Sequence, residues 1–195
     1  MFFIKSKIKW VYNKIARLND ATLPMSELLK PPFLNVDIQK GCVVSDDTII
    51  GEYTYIGANT TLTKAVVGRY CSIANNVSIG DGEHILDKVS TSSYFYDDPY
   101  EVLTQKECII GNDVWIGTKS IIRRGVKIGN GAVIGANSFV NKDVPEFAVV
   151  VGSPARIIKY RFNPTIIKLI TKSNWWELSI DEAKKKVAYL QKQII

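Results

Sequence analysis

The sequence predicts a mainly β fold built as a β-helix, and three observations carry that prediction. Aliphatic residues recur every six positions, at Ile110, Ile116, Ile122, Ile128, Ile134 and Val140, and glycine follows four of them directly, at Gly111, Gly117, Gly129 and Gly135. Four places after each aliphatic residue stands another small or compact side chain: Val114, Ser120, Val126, Ala132, Ser138 and Val144. A fixed short period marks a solenoid, in which each repeat buries its apolar face only by stacking on its neighbours. Two inward positions per six residues suit a narrow shaft with one short strand per repeat. The glycines are expected at corners, where the chain must turn without a Cβ in the way. An amphipathic helix would space its apolar residues three and four apart, which these are not.

Length and composition leave room for this fold. The 195 residues, 46% hydrophobic and 23% charged, amount to one ordinary soluble domain with extra elements. No run of about 18 apolar residues exists to span a membrane. The start, MFFIKSKIKW, carries lysines inside its apolar part and lacks a small-residue cleavage site, so it reads poorly as a signal peptide and a cytoplasmic location is expected. Of the three cysteines, Cys42 and Cys71 fall on the inward small-residue position, where a thiol packs as a small hydrophobe. Such an odd, unpatterned set argues against both a disulfide framework and a zinc site. A net charge of +6 suits a polyanionic ligand but is too diffuse to imply nucleic acid.

Taken in order, residues 1–33 form an N-terminal segment. From Ile4 to Leu18 the apolar positions Ile4, Ile8, Val11, Ile15 and Leu18 step at helical spacing, with Lys5, Lys7, Lys9, Lys14 and Arg17 on the other faces. This basic amphipathic helix suits docking on the solenoid or on another subunit. Its alternative is peripheral contact with an anionic membrane, at the inner membrane face. Pro24, Pro31 and Pro32 then punctuate a linker.

Residues 34–160 are the β-helix domain. The hexad runs through Ile38, Val44, Ile50, Ile56 and Leu62, loses one residue, and resumes at Val67, Ile73 and Ile79. Residues 81–108 then interrupt it. A long loop without periodicity inside a regular solenoid is disordered or functional, and this one holds His84, the chain's single histidine, with Tyr94, Phe95, Tyr96 and Tyr100. Function is the expected reading. Residues 161–195 change character: Asn163 and Pro164 open one helix, and Ser179 with Glu182 makes a capping box for another, to about residue 193. Together with Trp175 and Trp176 they are expected to cap the open end of the solenoid, whose bare strand edges would invite aggregation.

Several motifs together carry a resemblance. The hexads, the GNDVWIG run at Gly111 to Gly117, the KDVP run at Lys142 to Pro145, the GSPAR run at Gly152 to Arg156 and the RF and WW pairs of the tail resemble the hexapeptide-repeat acyltransferases. Within that family the chain looks most like the xenobiotic acetyltransferases and their O-antigen and capsule O-acetyltransferase relatives. The resemblance implies a left-handed parallel β-helix, a homotrimer, acetyl-CoA as donor, and sites between neighbouring subunits. It places His84, which precedes a VST run at Val89 to Thr91, as the catalytic base. An isolated histidine is most often a satisfied surface or core residue. At the mouth of the one non-repetitive loop, however, an imidazole suits the removal of a proton from an acceptor at neutral pH.

Carried over by their local motifs, the positions that bind coenzyme A in the family fall on Thr118, Ala136, Asn141, Lys142, Arg156 and Lys159. Thr118 matches a position that commonly carries serine, whose hydroxyl or amide helps to stabilise the tetrahedral intermediate. The cations suit phosphate. Tyr94 and Tyr96 are the candidate acceptor contacts. Ser92 and Ser93 stand between the VST run and Tyr94, where drug acetyltransferases tend to pass directly to an aromatic residue and a proline. The leading acceptor is therefore a sugar of a surface polysaccharide or its precursor, with a nucleotide-linked amino sugar and a drug as alternatives. No metal is implied, since one histidine cannot supply the ligands of a zinc hydratase. A purely structural solenoid would show ladders of threonine instead of one loop rich in chemistry.

Overall fold

The computed structural model describes residues 35–194. The helix expected at residues 4–18 lies outside the described residues. The rest is a three-sided parallel β-solenoid. Its first face carries β1 (Asp37–Ile38), β4 (Tyr55–Ile56), β7 (Ser72–Ile73), β10 (Trp115–Ile116), β13 (Val133–Ile134), β15 (Ala148–Gly152) and β16 (Ala155–Tyr160). The second stacks β2 (Val43–Val44), β5 (Thr61–Leu62), β8 (Ser78–Ile79), β11 (Ile121–Ile122) and β14 (Phe139–Val140). The third holds β3 (Ile49–Ile50), β6 (Ala65–Val67), β9 (Cys108–Ile110) and β12 (Lys127–Ile128). All pairs are parallel except β15 with β16, a hairpin that ends the first face.

The two inward positions per repeat behave as the sequence pattern demands. The last residue of each strand from β3 to β14 is buried, and so are Val114, Ser120, Val126, Ala132, Ser138 and Val144. Where that small position carries a hydroxyl, the hydroxyl is satisfied by the coil above: Thr54 donates to the Gly68 carbonyl at 2.9 Å, Thr60 to Ala74 at 3.0 Å and Ser120 to Gly135 at 2.9 Å. Of the thiols, Cys71 and Cys108 are buried, whereas Cys42, on an early coil, is half-buried.

The glycines stand at the corners as expected, and what a Cβ would meet there is the neighbouring coil. Gly117 and Gly129 keep negative-φ backbone, but a Cβ on either would meet the backbone nitrogen of the next coil at 2.5 Å. Close stacking is what excludes a side chain there. The left-handed corner residue comes two places later and is most often not glycine: Tyr53, Asn59, Tyr70, Asn76, Asp113, Lys119 and Asn137 all have φ between 55° and 61°.

The C-terminal helices also sit differently. Helices α2 (Pro164–Ser173) and α3 (Ile180–Ile194) begin as expected, with the Asn163 side chain accepting from Ile166 N–H and the Glu182 carboxylate accepting from Ser179. They do not simply lid the open end. Phe147, Ile170 and Trp176 form a buried cluster that Tyr70, Phe162 and Trp175 flank, and the Tyr70 hydroxyl donates to the Leu178 carbonyl at 3.0 Å. Tyr70 and Phe147 belong to separate coils on the corner that joins the third face to the first. The tail therefore runs along the shaft, where aromatic corner residues offer apolar surface that bare strand edges at the tip do not. Arg161 fastens it further, donating to Asp113 at 3.0 Å and to the Gly131 carbonyl at 2.7 Å.

Candidate active site

The corner between the second and third faces is where the repeat fails. Below the loop, the turn between β5 and β6 is one residue short, which is the lost hexad position, and one coil higher the turn between β8 and β9 is replaced by residues 80–107. With no turn of its own, that coil leaves a gap at the corner, and Arg124 from the coil above fills it. Its Nη2 donates to Thr63 O at 2.6 Å and its Nη1 to Lys64 O and Lys106 O at 3.0 and 3.1 Å. Burial pulls this guanidinium below the usual arginine range.

The loop is ordered by further ties. A 3-10 turn (Ser93–Phe95) and the short helix α1 (Pro99–Leu103) lie within it, the latter capped by Asp98. Tyr100 donates to Asp47 at 2.8 Å and Lys64 pairs with Glu101 at 2.8 Å, which draws α1 onto the corners of earlier coils. At the other end Arg123 grips Glu83 with two hydrogen bonds, 2.5 and 2.8 Å long, and Glu83 N–H donates to Leu103 O. The residue beside His84 is thus held by both its backbone and its side chain.

His84 is exposed, and its Nδ1 lies 2.5 Å from the Thr91 carbonyl oxygen. A carbonyl only accepts, so Nδ1 carries a proton, and in the neutral ring Nε2 then presents a lone pair. A general base needs that tautomer. Tyr94 is fully exposed on the same loop, whereas the Tyr96 hydroxyl is occupied within the loop, accepting from Ile85 N–H at 3.1 Å and donating to Thr91 O at 3.2 Å.

The expected donor-binding positions divide between the two edges of the second face. Thr118 and Ala136 lie on the edge shared with the first face, one coil apart, since Asn137 N–H donates to Thr118 O. Arg156, paired with Val151 at the end of β15, continues that edge upward. Asn141 and Lys142 lie on the opposite edge, two rungs above the point where the His84 loop departs, with Arg123 on the rung between. Lys159 pairs with Val149, towards the other end of β15, so the three cations do not form one cluster in a single chain.

Local bonding refines these roles. The Thr118 hydroxyl donates to Asn75 O at 2.7 Å, which leaves its backbone amide to act as a donor. Asn141 Oδ1 is buried with no hydrogen-bond partner, an acceptor that a ligand donor would satisfy. Among the described residues, Lys142, Arg156 and Lys159 make no salt bridge. Sequence reasoning missed Glu83, Arg123 and Arg124. Their signal was present in the adjacent arginines, which break the glycine pattern after Ile122.

Comparison with known proteins agrees with this architecture. The family described as bacterial transferase hexapeptide (six repeats) matches residues 107–142, and the hexapeptide repeat of succinyl-transferase matches residues 47–81. A chloramphenicol acetyltransferase from Klebsiella aerogenes is 38% identical over 138 residues, 65% of this chain and 66% of that protein, so the chain spans about two thirds of its length. Another from Agrobacterium fabrum is 30% identical over 78% of this chain and 85% of its own. An Escherichia coli K12 protein named as a lipopolysaccharide biosynthesis O-acetyl transferase is 34% identical over 59% of this chain and 58% of its own.

Two solved structures share the fold. AntD, an N-acyltransferase from Bacillus cereus in complex with dTDP and coenzyme A, aligns with TM-score 0.58 and 26% identity over 71% of this chain and 76% of its own. A hexapeptide-repeat acetyltransferase from Vibrio cholerae complexed with acetyl coenzyme A gives 0.55 and 27% over 71% and 75%. With the hexads stacked as three sheets, the interrupted corner bearing a histidine, and a relative matched along 85% of its length, the chain belongs to the hexapeptide-repeat acetyltransferase family.

Proposed function

We propose that this chain transfers an acetyl group from acetyl-CoA to a hydroxyl of a sugar, in a surface polysaccharide or its precursor. The observation that carries the reading is the His84 ring on an exposed loop, whose Nδ1–H is tied to Thr91 and whose Nε2 has no hydrogen bond among the described residues. In the transition state Nε2 takes the acceptor hydroxyl's proton as its oxygen bonds to the thioester carbonyl carbon. The Thr118 amide, on the other edge of the second face, is the donor we assign to the developing oxyanion, supplied by the neighbouring chain across a shared groove. As the C–S bond breaks, the imidazolium returns the proton to the departing thiolate.

Donor binding is assigned to both edges of the second face. Lys142, Arg156 and Lys159, which make no salt bridge among the described residues, suit phosphates, and the orphaned Asn141 Oδ1 suits an amide donor such as those of a pantetheine arm. Acetyl-CoA in the Vibrio cholerae structure and coenzyme A in AntD support this choice. The acceptor reading draws on the lipopolysaccharide-named relative and on Tyr94, whose exposed ring suits the apolar face of a sugar. The dTDP in AntD favours a nucleotide amino sugar as the second reading, and the drug acetyltransferase relatives a third.

A homotrimer belongs to the same proposal. On one chain the two edges face outward, with Leu86, Val89, Tyr94 and Phe95 exposed beside His84, and acyl transfer in competition with water needs a closed site. A second shaft packed alongside supplies the wall in a three-fold ring. The decisive test is His84→Ala, assayed by CoA release with polysaccharide precursor, amino-sugar nucleotide and chloramphenicol as acceptors. Turnover on the true acceptor is expected to fall about 10²- to 10⁴-fold with acetyl-CoA binding retained. A variant keeping more than about half the activity removes His84 from the mechanism.

A further inference from the structure

Tyr96 is placed unlike the other loop aromatics. Tyr94 and Phe95 project into solvent and Tyr100 ties α1 to Asp47, but the Tyr96 hydroxyl turns back into the loop that carries His84. It bridges two backbone groups that follow the histidine: it accepts from N–H of Ile85, the next residue, and donates to Thr91 O. That carbonyl is also the acceptor for His84 Nδ1, and the two rings lie 6.3 Å apart between centroids.

We propose that Tyr96 is a positioning residue that fixes the tautomer and orientation of His84 through the shared Thr91 carbonyl, and is not an acceptor contact. The proposal deepens the reading of His84 as the base and rests on it for its kinetic consequences. The physical argument is one of geometry. No strand holds this part of the loop, so the Thr91 carbonyl stays aligned with Nδ1 only if something spans the six residues between them. The Tyr96 hydroxyl closes that span, drawing the Ile85 amide and the Thr91 carbonyl to one oxygen. With the span open, the carbonyl is free to turn to water. The imidazole then relaxes towards the Nε2–H tautomer favoured in solution, which has no lone pair facing the acceptor.

A chain with one histidine allows this to be read directly. Selective ¹⁵N labelling of histidine gives a single pair of ring nitrogens, whose couplings report which one carries the proton in the neutral form. In the wild type Nδ1 should be protonated. Tyr96→Phe keeps the ring and removes only the hydroxyl. It should raise the Nε2–H population and lower turnover about tenfold, equivalent to about 1.4 kcal/mol, with KM for acetyl-CoA and for the acceptor unchanged. The proposal is overturned if the wild-type ring is Nε2–H, a measurement that needs no variant. It is equally overturned if Tyr96→Phe keeps the wild-type tautomer and turnover, or raises the acceptor KM alone, which would make Tyr96 a substrate contact. An active His84→Ala enzyme combined with an Nδ1–H wild type and a shifted Tyr96→Phe would locate the failure in the assignment of the base and leave the clamp standing.

Discussion

Replacing Gly117 with alanine should destabilise the shaft and loosen the donor site together. Gly117 follows Ile116 at the corner where Thr118 and Ala136 lie, and its amide donates to Ile134 O at 2.8 Å, which sets the spacing to the next coil. A Cβ at this position would stand 2.5 Å from Ala136 N, 2.9 Å from Ala136 Cα and 3.0 Å from Gly135 C. All three are backbone atoms, so no side-chain rotation relieves the contact and the coils must part. Forcing a methyl into a packed interior costs about 1–3 kcal/mol, and backbone opponents point to the upper part, about 2–3. The alanine returns about 0.4–1 kcal/mol by restricting the unfolded chain. A net loss of roughly 1–2.6 kcal/mol, at about 2–4 °C per kcal/mol for a chain of this size, lowers Tm by roughly 2–10 °C. Thermal unfolding at fixed protein concentration reads the first effect, and KM for acetyl-CoA, expected to rise, reads the second. A Tm within about 1 °C of wild type would show slack between coils and refute close stacking as the reason for glycine.

Two further outcomes are expected. Lys142→Ala and Arg156→Ala should each raise KM for acetyl-CoA more than they lower turnover, because contacts far from the thioester hold ground and transition states alike; refolding the double variant together with His84→Ala chains should recover some activity if two chains share each groove, and no recovery counts against sharing. Burial pushes the Cys71 thiol up to about 12 and the Cys108 thiol up to about 11 from an ordinary 9.0, so a thiol reagent at about pH 8 should modify half-buried Cys42 quickly and the other two only after unfolding. Since both folded values are raised, their contribution to stability is complete below pH 9 and should be lost as pH climbs towards 11–12; three rapidly reacting thiols, or stability rising over that range, would contradict the buried assignment.

The hexad was legible because every coil repeats one packing problem. A single aliphatic residue and a single small one must fill each side of a narrow shaft, so Ile116, Ser120 and Ile122 announce their burial by spacing alone. Capping at Asn163 and Ser179 was legible for the same local reason. The glycines and their want of a Cβ were also legible, although spacing does not reveal whether φ or a neighbouring coil forbids the side chain. The course of the tail was hidden too, since Tyr70 meets Leu178 across 108 residues. Within the loop, composition marked Tyr94, Tyr96 and Tyr100 alike, although one points to solvent, one clamps a histidine and one anchors a helix.

What composition blurred, the corners separate. Glycine after the inward aliphatic residue occurs at Gly51, Gly68, Gly111 and Gly129 on one corner and at Gly57, Gly117 and Gly135 on another. On the third corner the same slot holds Ser45, Thr63, Gly80, Arg123 and Asn141. Close stacking keeps a side chain out of most of the slots on the first two corners, Gln39 and Ala74 being exceptions. Where a loop replaces one turn the constraint lapses for its neighbours, and large polar residues enter. Arg123 takes Glu83, its neighbour Arg124 takes three carbonyls at the loop's base, and Asn141 is left with an unsatisfied oxygen. The break in the repeat therefore does two things at once. It releases a segment long enough to carry an exposed histidine, and it frees the adjoining slots for the side chains that hold that segment still. On the corner that carries His84 glycine keeps the slot at Gly80 alone, where the loop begins, and the other slots are given over to polar side chains.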